Sequence, residues 1–181
     1  MKKILSLFIC LSLVMTVTTS LIACGKFNIN QKVKEKDVPW EVKMGVNDLG
    51  DRAVIVKFTN NSQYTITELS LKFTMKPTLK EDKLNAFYSH LADRYDLSDD
   101  EIAELKEIDL TMSAWVYLSE DKYLKPGESI EDSLCYGYKY IYTMDYYDLF
   151  RPDMYEIVYI DENGEECTTY YDYINKTYSN K

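Results

Sequence analysis

From Val38 onward, apolar side chains recur at every second position. Val38, Trp40, Val42, Met44 and Val46 start the pattern, and Leu69, Leu71, Phe73 and Met75 repeat it against Ser70, Lys72 and Thr74. Side chains of a strand point alternately to its two faces, so this period commits the segment to strands with one buried face. Between them, Ala53-Val54-Ile55-Val56-Lys57-Phe58 is a short β-branched run that reads as another strand. Asn47-Asp48-Leu49-Gly50-Asp51 and Asn60-Asn61-Ser62 separate these runs and are turns by composition.

At Pro77 the period changes. Thr78-Leu79-Lys80-Glu81 has the form of a capping box, and Leu84, Phe87, Tyr88, Leu91 and Tyr95 follow at helical spacing. Ser98-Asp99-Asp100-Glu101 is a second such box, ahead of Ile102, Leu105 and Ile108. The spacing predicts a helical hairpin inserted at about 79–107, with helices over roughly 79–95 and 99–107.

Strands resume near Leu110, with Met112, Ala114, Val116 and Leu118 on one face and Trp115 and Tyr117 on the other. After the Lys125-Pro126-Gly127-Glu128 turn, Leu134, Tyr136, Tyr138, Tyr140 and Tyr142 alternate as one long strand. A helical turn over 144–151 is expected to end at Pro152. Asn163-Gly164 between two alternating runs marks a final hairpin. About seven strands with one helical insertion define a mainly β chain, a two-sheet β-sandwich. The folded domain is expected over 38–174, followed by a polar, frayed tail at 175–181.

Two stretches carry a resemblance. Val56-Lys57-Phe58-Thr59-Asn60-Asn61-Ser62, followed by Ile66 and Leu69-Ser70-Leu71, resembles the opening strands of small Ig-like sandwich domains of bacterial surface lipoproteins. Leu124-Lys125-Pro126-Gly127-Glu128-Ser129 is similar to their Leu-x-Pro-Gly-Glu turn. The resemblance implies an Ig-like sandwich. It carries no catalytic signature, and the helical hairpin departs from the simple pattern.

The N-terminal segment reads as an export signal. Lys2 and Lys3 precede an apolar stretch from Ile4 to about Val17, which Thr18, Thr19 and Ser20 end. Leu21-Ile22-Ala23-Cys24-Gly25 then resembles the bacterial lipobox. That resemblance implies diacylation of the Cys24 thiol, cleavage after Ala23, and a mature protein held by lipid on the extracytoplasmic face of the cell membrane. An uncleaved transmembrane anchor is the other reading, and both place the remainder outside the cytoplasm. Residues 24–37 are mostly polar and Lys-rich, and are expected to form the lipidated tether.

Removing residues 1–23 takes Lys2 and Lys3 with it, so the formal charge of −9 becomes −11. An acidic surface repels nucleic-acid phosphates and anionic headgroups, which excludes nucleic acid as a partner. Of the four cysteines, Cys10 leaves and Cys24 is lipidated, so Cys135 and Cys167 remain. In an oxidising compartment they are candidates for one disulfide; two separate buried thiols on strands are the other reading.

Candidate chemistry is sparse. His90 is the only histidine and is expected on the surface of the first helix. The chain contains no Gly-x-Ser-x-Gly, no His-Glu-x-x-His and no phosphate-cradling glycine loop. Asp96 to Glu107 partly matches a calcium loop, but Glu101 stands where the turn wants glycine, and the capping box accounts for these residues. No catalytic, metal or cofactor site is expected. Tyrosine is the unusual residue, with 17 copies concentrated after Tyr136. Strand propensity accounts for most of them. Exposed ones would form an interaction face, with Tyr138, Tyr140, Tyr170 and Tyr171 the candidates, suited to an envelope protein or a polysaccharide. The expectation is a non-enzymatic, lipid-anchored binding domain, with a tyrosine-platform carbohydrate module or a structural envelope component as alternatives.

Overall fold

A computed structural model describes residues 31–179 except Tyr138 and Tyr142, so Cys24 and the export segment lie outside the described residues. In chain order the elements are β1 (Trp40–Val46), β2 (Arg52–Thr59), β3 (Thr65–Met75), α1 (Glu81–Tyr95), α2 (Asp99–Lys106), β4 (Thr111–Tyr117), β5 (Ser129–Ser133), β6 (Cys135–Tyr136), β7 (Lys139–Tyr140), the single turn α3 (Met144–Tyr147), β8 (Phe150–Ile160), β9 (Glu166–Asp172) and β10 (Thr177–Ser179). The alternating runs become two antiparallel sheets, of order β1-β2-β5 and β10-β9-β8-β3-β4-β6-β7. The chain changes sheet between β2 and β3, between β4 and β5, and on the way from β5 to β8. This is the crossover connectivity of a two-sheet β-sandwich, with the fourth strand beside the third and the helical hairpin inserted between them.

The two inner faces meet in one core. Val54, Val56 and Phe58 from the small sheet pack against Leu69, Leu71, Phe73, Tyr155 and Ile157 from the large one, all fully buried. The Phe58 and Tyr155 rings stack at 5.9 Å, and Trp40 meets Phe73 edge-on at 5.4 Å. Each such side chain contributes about 1.5–3 kcal/mol by leaving water. The Tyr155 hydroxyl donates to the Val38 carbonyl at 2.9 Å, and burial pushes its pKa well up.

The two stretches that carry the family resemblance touch each other through Asn60. Its side chain is fully buried. Its Nδ2 donates to the carbonyls of Tyr64 (2.8 Å) and Leu124 (2.9 Å), and its Oδ1 accepts from the Ser62 N–H and hydroxyl. Its backbone N–H donates to Glu128 O, and its carbonyl accepts from Gly127 N–H at 2.7 Å. Gly127 sits at φ +84°, the left-handed backbone that glycine adopts without strain, so the Pro126-Gly127 turn can present that N–H. One asparagine thus joins the β2–β3 crossover to the turn that leads into β5.

Residues 31–37, expected as tether, belong to the folded domain. Val33 is fully buried and its carbonyl accepts from Thr169 Oγ1 at 2.9 Å. Lys32 Nζ lies 3.0 Å from Asp161 Oδ2 and 2.6 Å from Glu162 Oε1. Asp161 also caps the β8–β9 turn, accepting from the N–H groups of Asn163 and Glu165. The Lys32 ammonium, chiefly, holds the Asp161 carboxyl down at about 2.

Several local expectations are corrected. The first helix begins at Glu81 with Lys80 as its N-cap and no side-chain cap, so the Thr78 box does not form. The Ser98 box does form, Ser98 N–H donating to Glu101 Oε2 at 2.8 Å and Glu101 N–H to Ser98 Oγ at 3.4 Å. The long tyrosine strand is broken, because Gly137 at φ +53° turns the chain back into a β6–β7 hairpin. Pro152 does not follow a helix end but lies inside β8, where the β3–β8 register shifts between Lys72 and Phe73. The tail returns as β10, its turn held by Asp172 accepting from the N–H groups of Ile174 and Asn175. Among the described residues no helix is long and apolar enough to cross a membrane.

Asn60→Ala removes two donors and an acceptor from a buried site, leaving the Leu124 carbonyl with the Ile66 N–H and the Tyr64 carbonyl with the Ser62 hydroxyl. Urea unfolding is expected to show a loss of about 2–4 kcal/mol. Because Asp161 titrates below its ordinary value of 3.8, its contribution to stability is present above that pH and is lost as pH falls toward about 2. The melting temperature should therefore drop across that interval, and Lys32→Met should flatten the drop.

Candidate interaction face

The inner face of the large sheet is consumed by the core, and its outer face is built by the alternate set of side chains. Cross-strand registers align that set in rows over β9, β8, β3 and β4. One row reads Tyr170, Glu156, Ser70, Trp115, and the next reads Thr168, Val158, Glu68, Tyr117. Trp115 is 65 % exposed and Tyr117 is 78 % exposed, two residues apart on the same side of β4. Large exposed rings side by side cost solvation free energy, which makes such a pair informative.

The rings hold the carboxylates between them. Trp115 Nε1 donates to Glu68 Oε1 at 2.7 Å, and the Tyr170 hydroxyl donates to Glu156 Oε1 at 2.6 Å. Burial, then the bond to Glu156, pushes the Tyr170 phenol up to about 12. The strand that carries Trp115 is itself fixed from below. Asp132, on β5 of the other sheet, accepts the Trp115 backbone N–H at 2.7 Å. Burial raises the Asp132 pKa, against the opposing pull of the Trp115 and Ser133 N–H groups.

The face runs toward an open cleft of about 820 Å3 at one end of the sandwich, flanked by Tyr64, Tyr123, Glu120, Lys125 and Glu162. Tyr123 feels the charge of Glu120 and Glu166 and lies near Tyr117, and its phenol is raised mainly by burial.

The four tyrosines expected as one interaction face do not form one. Tyr138 lies outside the described residues, and Tyr140 enters the short β7 hairpin. Tyr170 is buried on the outer face beneath its neighbours. Tyr171, next in the strand, faces the other way and packs against Tyr173 at 4.9 Å and Tyr178 at 4.8 Å. Trp115 and Tyr117 were legible as one side of a strand but not as its solvent side. Glu68 and Glu156 had no signal beyond the period of two.

The cysteine pairing is corrected as well. Cys135 and Cys167 are not bonded to each other. They sit on β6 and β9, four inter-strand steps apart in the large sheet, roughly 19 Å, whereas a disulfide needs Cα atoms within about 7 Å. His90 is half-buried rather than on the helix surface, its ring 4.7 Å from that of Tyr146. Desolvation lowers its pKa. Among the described residues no three His, Cys, Asp or Glu side chains gather as a metal site.

Comparison with family models, with curated proteins and with solved structures finds no match to this chain. The class defined by fold and face is a two-sheet β-sandwich with an exposed aromatic–carboxylate sheet.

The thiol assignment has a direct check. Denaturing alkylation without reductant, followed by peptide mass analysis, should find no Cys135–Cys167 linked peptide; such a peptide would contradict the separation across the sheet.

Proposed function

We propose that this chain is a bacterial lipoprotein, diacylated on Cys24, whose sandwich domain acts on the extracytoplasmic face of the membrane by binding a partner rather than by catalysis. The observation that carries the binding role is the exposed Trp115–Tyr117 pair on the outer face of the large sheet. A sandwich needs no rings there for its own core, whereas rigid amphipathic rings contribute much of the affinity at interfaces. The lipobox-like Leu21-Ile22-Ala23-Cys24 supplies the membrane address, and two or three acyl chains anchor firmly where one does not.

A second reading is carbohydrate binding. The cleft flanked by Tyr64 and Tyr123, with Glu120 and Lys125 beside them, offers ring faces and polar groups of the kind that sugars use.

Labelling cells with an alkyne fatty acid should mark the wild-type chain and leave Cys24→Ala unmarked. A chain lacking residues 1–24, and so both signal and lipid, should sediment with bacterial cell envelopes, and Trp115→Ala/Tyr117→Ala on that background should stay in solution. Surface truncations of this kind change stability by no more than about 0.5 kcal/mol, so the melting temperature should hold. Unchanged sedimentation of the double variant would remove the face from the reading.

A further inference from the structure

The small sheet ends in β1, which pairs with β2 on one side only. Thr59 N–H donates to Pro39 O at one end of that ladder, and Asn47 N–H donates to Asp51 O at the other. Bonded positions alternate in an antiparallel ladder, so Glu41, Lys43 and Gly45 also turn their peptide groups toward β2. Those of Trp40, Val42 and Met44 point away from it. Among the described residues these outward N–H and C=O groups take no hydrogen bond.

Native sheets blunt an open edge with proline, a bulge, an inward charge or brevity. β1 uses none of these. It runs seven residues in unbroken register with β2, contains no proline, and turns Glu41 and Lys43 to the outer face. The other edges differ: β10 has three residues, β7 has two, and β5 is tied to β4 through Asp132 and Trp115. The core-side residues of β1 are also incompletely covered. Trp40, Val42 and Met44 are half-buried, whereas their partners Phe58, Val56 and Val54 on β2 are fully buried.

This edge is complementary to itself. A strand added antiparallel must set outward-bonding positions against each other. Centred on Val42, the pairing sets Val42 against Val42 of a second copy and Trp40 against its Met44, a favourable sulfur–aromatic contact. Glu41 then faces Lys43 of the second copy, and Lys43 faces its Glu41, at the close non-hydrogen-bonded positions. The next allowed register on either side opposes Glu41 to Glu41 or Lys43 to Lys43, which is unfavourable. Charge already alternates across the outer face, where Glu131, Lys57 and Glu41 stand opposite one another on β5, β2 and β1. Lys43 of the second copy continues that row. We infer that β1 is a dimer seam, at which a second copy of this chain adds through its own β1 and joins the two small sheets into one. Each residue meets its counterpart in both directions, as a two-fold dimer requires. The seam lies on the opposite sheet from Trp115 and Tyr117, so it does not rest on the binding role proposed above.

The test is sedimentation equilibrium of the full chain in density-matched neutral detergent. Wild type is expected to show a concentration-dependent monomer–dimer equilibrium. Glu41→Lys or Lys43→Glu sets like charges across the seam twice and should weaken the dimer roughly tenfold at low salt. The double variant Glu41→Lys/Lys43→Glu restores opposite charges and should return the affinity to within about threefold of wild type. Circular dichroism should stay unchanged in all three, because the Lys43–Glu131 and Lys57–Glu41 pairs they disturb are surface pairs. A wild-type chain that stays monomeric up to about 0.1 mM overturns the inference. So does a dimer that ignores the single reversals, or one that the double reversal fails to restore. Val42→Pro deletes an N–H that β2 does not use and should leave a folded monomer. If wild type is monomeric and Val42→Pro abolishes envelope sedimentation of the chain lacking residues 1–24, the edge takes a foreign strand, and the second copy is overturned as its occupant.

Discussion

Asn60 is the point on which the sandwich closes. A two-sheet fold of this connectivity must send its chain across the open end of the core twice, and each crossing exposes backbone groups that no ladder satisfies. Here one buried amide and its own peptide groups satisfy both crossings, bonding to Tyr64, Ser62, Leu124, Gly127 and Glu128. Buried polar groups are stable only when such sets are complete. The completeness explains why Asn60-Asn61-Ser62 and Leu124-Lys125-Pro126-Gly127-Glu128 occur together: they are two halves of one corner.

With that corner set, the two sheets have different outer surfaces. The small sheet is crossed by surface ion pairs such as Lys43–Glu131 and Lys57–Glu41, whose worth in water is small. The large sheet turns rings and uncompensated carboxylates outward. Asp132 connects the two, reaching from β5 to hold the backbone of Trp115. The position of the exposed ring is thus set by a carboxylate that lies in the other sheet. The N-terminal segment closes the structure elsewhere, through Val33, Lys32 and the hydroxyl of Tyr155, so the part of the chain that enters the fold begins earlier than its polar composition implies.

Much of this was legible in the residues. Period two gave β1, β3 and β4, with Met112, Ala114 and Val116 on one face and Trp115 and Tyr117 on the other. The Asn163-Gly164 hairpin and the Ser98 capping box are local motifs whose geometry needs only a few neighbouring residues, and both formed as read. The failures share a cause. Thr78 has the residue type for a cap, but the helix begins at Glu81. Leu134 to Tyr142 alternate well, yet Gly137 takes a left-handed backbone and reverses the chain. Tyr170 and Tyr171 were grouped by composition, although neighbours in a strand face opposite sides.

The sequence by itself determined most of the long strands, the two helices and the Asn163-Gly164 turn, and which face of each such strand is apolar, because these follow from short-range periodicity and backbone preference. Only the tertiary structure decided which polar face meets water and which strands become neighbours. Cys135 and Cys167 are strand residues by pattern, and strand order alone keeps them roughly 19 Å apart. Glu68, Glu156, Trp115 and Tyr117 come from three strands up to 88 residues apart in the chain, and the cross-strand register is what assembles them into one face. Register depends on contacts between distant segments, and no local pattern encodes it.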